Sequence, residues 1–375
     1  VRGLRDLLAS PGGRDWLRAS GVFADPGQFL AALAAPADLR GRDAPCPVYV
    51  HQQPAVDQRR SVVAKLAALE ALRRAAPAAV TAVFVVIDTD RAASGRAATR
   101  IGWQDTSGRQ RPLKVAPPGT EAMEFRHVTV DPAQAARVAA TLEAYLRQMP
   151  GDRAACLARL DVLRPLLAPA RPMPLVGYAE ALGGFLLEQS LGRRPATVLV
   201  SALARDGLLA GPLSRLMEGL DAFVACFNAR VAALRACGID PAVAPLAEGY
   251  LPLFHCCPVD GERIRLHRRR AGGGWEAVGQ TRAGRRYAFP LGPRGTSLDA
   301  LFATGRWSPD VVLPVLLNDR FSGLVAGRSS ALYCLVLNAA MAEALGMRPI
   351  PILAPAALGG AMPGPDGLVQ SWLTG

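Results

Sequence analysis

The sequence has 375 residues, half of them hydrophobic, with 43 basic against 31 acidic side chains, a net charge of +12 and a pI near 10.0. That length and apolar content provide for a large buried core and for two or three domains of ordinary size. No stretch approaches the roughly twenty apolar residues of a membrane span, and residues 1–6 lack a signal peptide's apolar run, so a cytoplasmic protein with no membrane partner is expected.

Residues 1–40 read as short helices with loop breaks at Pro11-Gly12-Gly13 and Pro26-Gly27. Residues 47–50 read as a short buried strand running into the polar His51-Gln52-Gln53-Pro54. A helix over about 58–75 follows, with Val62, Val63, Leu66, Leu69 and Leu72 at helical spacing. Residues 79–87 are an almost unbroken β-branched run, as in a parallel strand covered on both faces, and end in Asp88-Thr89-Asp90. This is the opening of a βαβ unit, and ligands of open α/β sheets gather at the carboxyl ends of such strands.

Asp131 is placed to cap a helix reaching about residue 148, with Pro132 at its first position. Helical patterns follow over about 153–167, 176–190 and 211–236, with a short apolar strand at 197–201 between the last two. From Tyr250 the sequence turns β-rich. Strands are expected at 251–256 and 263–268, then a hairpin through Gly272-Gly273-Gly274 to 275–278, and a further strand at 286–289. A helix from near Ser297, a buried segment at 311–317, a helix over about 329–345 and a closing strand at 349–353 complete the chain. The expected fold is α/β, a Rossmann-like parallel-sheet core interrupted by a helical insertion, with a β-hairpin in the second half. Residues 1–150 and 241–375 would supply the two halves of the core, and 151–240 the helical connection.

The seven cysteines are odd in number and irregular in spacing, which predicts reduced, mostly buried thiols. Nearly all the basic residues are arginines spread along the chain, and aromatic residues are not interleaved with them as stacking platforms would be. A small anionic substrate therefore accounts for the positive field better than nucleic acid does. Lys65 and Lys114 are the only lysines. In a chain that writes its surface cations as arginine, a retained ammonium suggests a point-charge contact or a shifted pKa, the other reading being an ordinary surface lysine.

No phosphate-binding glycine loop, zinc-protease helix, paired Cys-x-x-Cys or nucleophile elbow is present. His51, Gln52 and Gln53 sit where a strand meets its helix and could orient a polar ligand, with Lys65 about two turns into that helix. Asp88 and Asp90 could hold an ammonium, a ribose or Mg²⁺, or serve as helix-cap and turn acids. His255-Cys256-Cys257 has soft ligand types, yet neighbours on a strand face opposite ways and no second pair matches them, so a buried strand with core thiols is expected and no metal site. The arginines from Arg263 to Arg270 are expected to form one solvated face of the hairpin.

Separated stretches carry a family resemblance. Residues 51–65, from His51-Gln52-Gln53 to Lys65, are similar to the Gln-Gln loop and lysine-bearing helix of the cysteine-adding enzymes of bacillithiol biosynthesis. Residues 82–90 resemble that family's strand and acidic turn, and 308–319, ending in Asn318-Asp319, its Ser-Pro-Asn-Val-type segment and Gln-Asp. The resemblance implies a Rossmann-like core and a ligase that joins cysteine, through its carboxyl group, to the amine of glucosaminyl malate. On that reading Gln52, Gln53 and Lys65 line the site, with Asp90 and Asp319 opposite; with the strand-end reading of the residues, Asp90 and Lys65 are the catalytic candidates, and His51, Gln52, Gln53, Asp88, Asn318 and Asp319 the substrate-binding ones. Whether ATP and Mg²⁺ take part is left open, as is the oligomeric state. Asp57-Gln58-Arg59-Arg60 stands where the family has Gly-Gly-Pro, Arg91 replaces its turn histidine, and its C-terminal coiled coil has no counterpart before Gly375. Two alternatives follow: a divergent relative using another amino acid or acceptor, and a non-catalytic binding or scaffold protein that keeps the fold.

Overall fold

β-Branched residues in short runs between amphipathic helices favour a parallel sheet covered on both faces, and the chain forms one. The computed structural model describes residues 2–34, 46–76, 78–94, 96–272, 274–291, 297–327, 330–355 and 367–375. Six strands lie in the order Val22–Phe23, Ile352–Leu353, Gly323–Val325, Cys46–Gln52, Val80–Val86, Thr197–Leu199, all parallel. Alternation along each strand divides the interior in two. Val48, Val50, Phe84 and Val86 face one core with Val62, Leu66, Leu69 and Leu72 of the Arg60–Ala75 helix, and with Leu182 and Leu186 of the Leu175–Leu191 helix. Tyr49, Val85 and Leu324 face the other, with Phe223 and Phe227 of Leu220–Ala236 and Leu335 and Val336 of Ala331–Leu345.

The second sheet is antiparallel, in the order Arg286–Leu291, Gly274–Gln280, Arg263–Ala271, Tyr250–Cys256, Trp307–Pro309. The segment after Val80–Val86 ties it to the first sheet. Glu124 bridges to Arg91 and Met123 to Glu262, while Arg263 N donates to Ala122 O at 2.8 Å.

Several expectations are corrected. Pro11 and Pro26 begin the helices Pro11–Ala19 and Pro26–Ala34 rather than breaking them, since proline's fixed φ and missing N–H suit the first helical position. The pattern over 211–236 is two helices, Ala210–Glu218 and Leu220–Ala236, joined at Gly219, where a Cβ would stand 2.4 Å from Leu345 Cδ2. The strand expected at 197–201 stops at Leu199, where the Val200–Arg205 helix begins. The segment 311–317 is buried from Val312 on, as expected, and within it Leu313–Leu316 form a single helical turn. Only three cysteines, Cys256, Cys257 and Cys334, are buried; Cys237 is exposed and the others are half-buried, all of them free thiols. Readings that touch residues 35–40, Gly273, Arg328 and Ser329 fall outside the described residues.

The Leu175–Leu191 helix lies close over the loop that follows Cys46–Gln52. A Cβ on Gly183 would come within 2.5 Å of Ala55 O. Gly183→Ala should therefore lower stability by about 1–3 kcal/mol despite alanine's better helix propensity, read as a lower denaturant midpoint at unchanged slope. An unchanged or raised midpoint would show that the close approach is not constrained.

Candidate functional site at the carboxyl edge of the parallel sheet

The strand order reverses between Cys46–Gln52 and Gly323–Val325. From Cys46–Gln52 the chain proceeds to Val80–Val86 and Thr197–Leu199 on one side, and from Gly323–Val325 to Ile352–Leu353 on the other. The helices that follow these two strands, Arg60–Ala75 and Ala331–Leu345, cover opposite faces. Such a switch point opens a crevice at the carboxyl ends of the strands, the usual ligand position in open α/β sheets.

Three buried side chains, Lys65, Tyr49 and Cys334, and the part-buried His51 lie beneath that crevice. Lys65, 6% exposed, donates from Nζ to His51 O at 3.1 Å and to Gln52 Oε1 at 3.3 Å. Burial lowers its pKa to about 8, a shift that the neighbouring Cys334 thiol opposes. Burial pushes the Cys334 thiol up to about 12, against the pull of Lys65. His51 is held down to about 3 by burial and then by the Lys65 charge, so it is a neutral imidazole at physiological pH. Tyr49, fully buried, is raised well above its ordinary value by burial and then by Cys334. Tyr49 Oη and His51 Nδ1 are both shut off from solvent without a hydrogen-bond partner. Gly327 faces the lysine, where a Cβ would be 3.3 Å from Lys65 Cδ, so a small residue leaves room for the stem.

The acids of the next strand end divide into two roles. Asp88 is 1% exposed and accepts from Ser201 N at 2.9 Å and from Ser201 Oγ, so it fixes the start of the Val200–Arg205 helix. Burial raises its pKa, and the Ser201 bonds oppose that. Asp90 is more open, with its side chain 20% exposed. It accepts from Gln53 Nε2 at 2.6 Å and from Arg91 N at 2.8 Å, and Arg263 Nη1 lies 3.5 Å away. The Cys46–Gln52 loop, the Val80–Val86 turn and the antiparallel sheet thus meet at one carboxylate.

Behind Asp90 is Glu124, with no exposed surface. It accepts from Arg126 Nε at 2.6 Å, from Arg263 Nε at 3.2 Å and from Ser308 Oγ. The Arg263 guanidinium stacks on Phe254, 3.3 Å from the ring centroid, and its buried Nη2 has no hydrogen-bond partner. Arg263 is therefore not on a solvated face. The segment around Ala122 and Glu124, distant in sequence, covers the start of this strand and buries Arg263, while Arg265 beyond it stays exposed. Glu124, His127 and Cys256 place ligand atoms within 4.8 Å of one another. The chemistry opposes a cation there, because two guanidinium groups already neutralise Glu124 and burial raises the Cys256 thiol. His255 is buried among Tyr287, Phe289 and Trp307, with ring centroids at 5.1, 4.9 and 5.1 Å, and is a core residue.

The structure thus gathers His51, Gln52, Gln53, Lys65, Asp88 and Asp90 at one edge. It does not bring Asn318 and Asp319 there. They precede Gly323–Val325, whose first residue pairs with Val48, while Gln52 ends its own strand, about 13 Å further at the usual rise per residue. Asn318 Nδ2 donates to Arg348 O at 2.5 Å, and Asp319 is paired with Arg215. Lys114 is exposed, 3.8 Å from Glu121. Sequence reasoning missed Tyr49, Glu124, Arg126, Arg263 and Cys334; of these only Arg263 stood within a segment singled out for its charge. No protein-family model and no curated protein matches this chain. Among the described residues, no helix is long and apolar enough to cross a membrane.

Two outcomes follow from these environments. Lysine is protonated in the unfolded chain up to about pH 10.4 but loses its proton near 8 in the fold, so wild-type stability should rise between those values. Relative to Lys65→Met, which lacks the group, the rise should be about 3 kcal/mol, read from denaturant titrations across that range. A difference that stays flat with pH would show that Lys65 is not desolvated. Glu124→Gln, which leaves Arg126 and Arg263 without their shared carboxylate, should cost about 3–5 kcal/mol. A cost below about 1 kcal/mol would place the pair in a solvated setting.

Proposed function

We propose that the chain is an amide-forming ligase that joins the carboxyl group of an amino acid, cysteine being the first candidate, to the amine of an anionic sugar conjugate of the glucosaminyl malate kind. The observation that carries this reading is the convergence of Gln53, Lys65 and Asp90 at the switch-point edge. It places a partly exposed carboxylate and a buried ammonium at neighbouring strand ends of one edge, the two kinds of group that acyl transfer to an amine uses. Asp90, oriented by the Gln53 amide, takes the proton of the attacking ammonium. The freed amine lone pair forms the C–N bond to the activated carboxyl carbon, and the activating group leaves with its electron pair. Lys65 is charged below about pH 8 and stabilises negative charge that develops on the carboxyl oxygen.

The carboxyl must be activated by a co-substrate, and ATP with Mg²⁺ is the first pair to test. Both oxygens of Asp88 are taken by Ser201, and both of Asp90 have donors, so these two acids do not form a ready cradle for Mg²⁺ and no step is assigned to it. The donors held by both Asp90 oxygens favour a second reading, a binding protein that keeps the fold without turnover.

Purified protein with cysteine, glucosaminyl malate, ATP and Mg²⁺ should yield a condensation product by mass spectrometry. Gln53→Ala and Lys65→Ala should reduce it, and Asp90→Asn should lower the rate about 10²-fold or more. An undiminished rate in Asp90→Asn would remove that base. Saturable binding of either substrate without product would favour the binding reading.

A further inference from the structure

Thr197–Leu199 pairs only with Phe84–Val86, so the earlier residues of the Val80–Val86 strand run past its start. A pocket of about 320 Å³, partly open to solvent, lies there, lined by that strand, the Arg60–Ala75 helix and the 191–196 segment. Its size is at the lower end for small-molecule sites. Leu66, Leu69, Ala82, Phe84, Leu191 and Pro195 line it with hydrocarbon, and the charged residues of the lining are Glu70 and Arg193.

The two charges of the lining do not cancel. Arg73 takes both oxygens of Glu70, with Nη2 2.6 Å from Oε1 and Nε 3.0 Å from Oε2, and Arg74 Nε adds a contact to Oε1 at 3.4 Å. Arg193 Nη1 stays 3.7 Å from Oε2, beyond hydrogen-bond distance, and its side chain is 42% exposed. Three guanidiniums around one carboxylate leave surplus positive charge. The one that lines the pocket is the one Glu70 holds least, and it is open to a head group arriving from solvent. Apolar walls favour a hydrocarbon body, and a planar guanidinium favours a carboxylate. We propose that this pocket binds a small aliphatic monocarboxylate, with its tail against Leu66, Leu69 and Phe84 and its carboxylate at Arg193. The lining includes none of Gln53, Lys65 and Asp90, and the site does not rest on the ligase reading, because its test records binding and not turnover.

The test titrates the full-length chain with hexanoate and with 1-hexanol, which has the same body but no charge, followed by protein chemical-shift changes. Hexanoate should bind saturably and at least about threefold more tightly than hexanol, the scale of a half-exposed ion pair. Arg193→Gln, at an exposed position, removes the surplus cation and should abolish that preference. Ala196→Leu, at an exposed lining position, fills the pocket and should weaken both probes. Equal affinity for the two probes would overturn the proposal, as would a preference that persists in Arg193→Gln. So would undiminished binding in Ala196→Leu, or the absence of saturable binding.

Discussion

The buried carboxylate of Glu124 is the interaction on which the arrangement of the site depends. Removed wholly from water, it is tolerable only because Arg126, Arg263 and Ser308 all donate to it. Those donors come from different parts of the chain. Arg126 follows directly in sequence and reaches Trp307 O at 3.1 Å, Arg263 opens the hairpin, and Ser308 lies on the strand that closes the antiparallel sheet. One acid therefore fixes where the second sheet sits against the carboxyl edge of the first. Arg263 extends the same network to Asp90. The carboxylate nearest the crevice is thus oriented by groups that belong to the join between the sheets.

The switch-point side obeys a different constraint. Lys65 is a cation under the strand ends, where burial works against its charge, and it keeps that charge near neutral pH with two acceptors and no carboxylate partner among its hydrogen bonds. A chain that uses arginine almost everywhere else has placed a compact ammonium here, with Gly327 beside its stem and the His51 carbonyl at its head. With Tyr49, His51 and Cys334 close by, this is the densest set of perturbed groups beneath the crevice. Local rules of burial are broken at this edge, as they are at functional sites.

Much of the fold was legible because its elements carry strong periodic signals. The Arg60–Ala75 helix, the Val80–Val86 strand and the Asp131-Pro132 helix start all read directly from spacing and cap chemistry. Pro11 and Pro26 were misread because the same residue ends one helix and begins another, and only the flanking chain decides which. Gly219 divides a continuous apolar pattern into two helices, and its close approach to Leu345 is a tertiary contact that no local window contains. At the site, Lys65 stood out by its rarity and Gln53 and Asp90 by their place after strands. Glu124 and Arg263 did not, because their pairing spans the two sheets and the segment that covers Arg263 is distant in sequence. Asn318 and Asp319 read as site residues by resemblance alone, and the parallel register sets them at the opposite edge.

The central claim is that ligands are taken at the carboxyl edge of the parallel sheet. Amide hydrogen exchange of the full chain, with and without cysteine and glucosaminyl malate, tests it most directly. The account predicts added protection in residues 51–58 and 88–91 and at the start of the Ala331–Leu345 helix. Protection confined to residues 313–322, at the opposite edge, would contradict it.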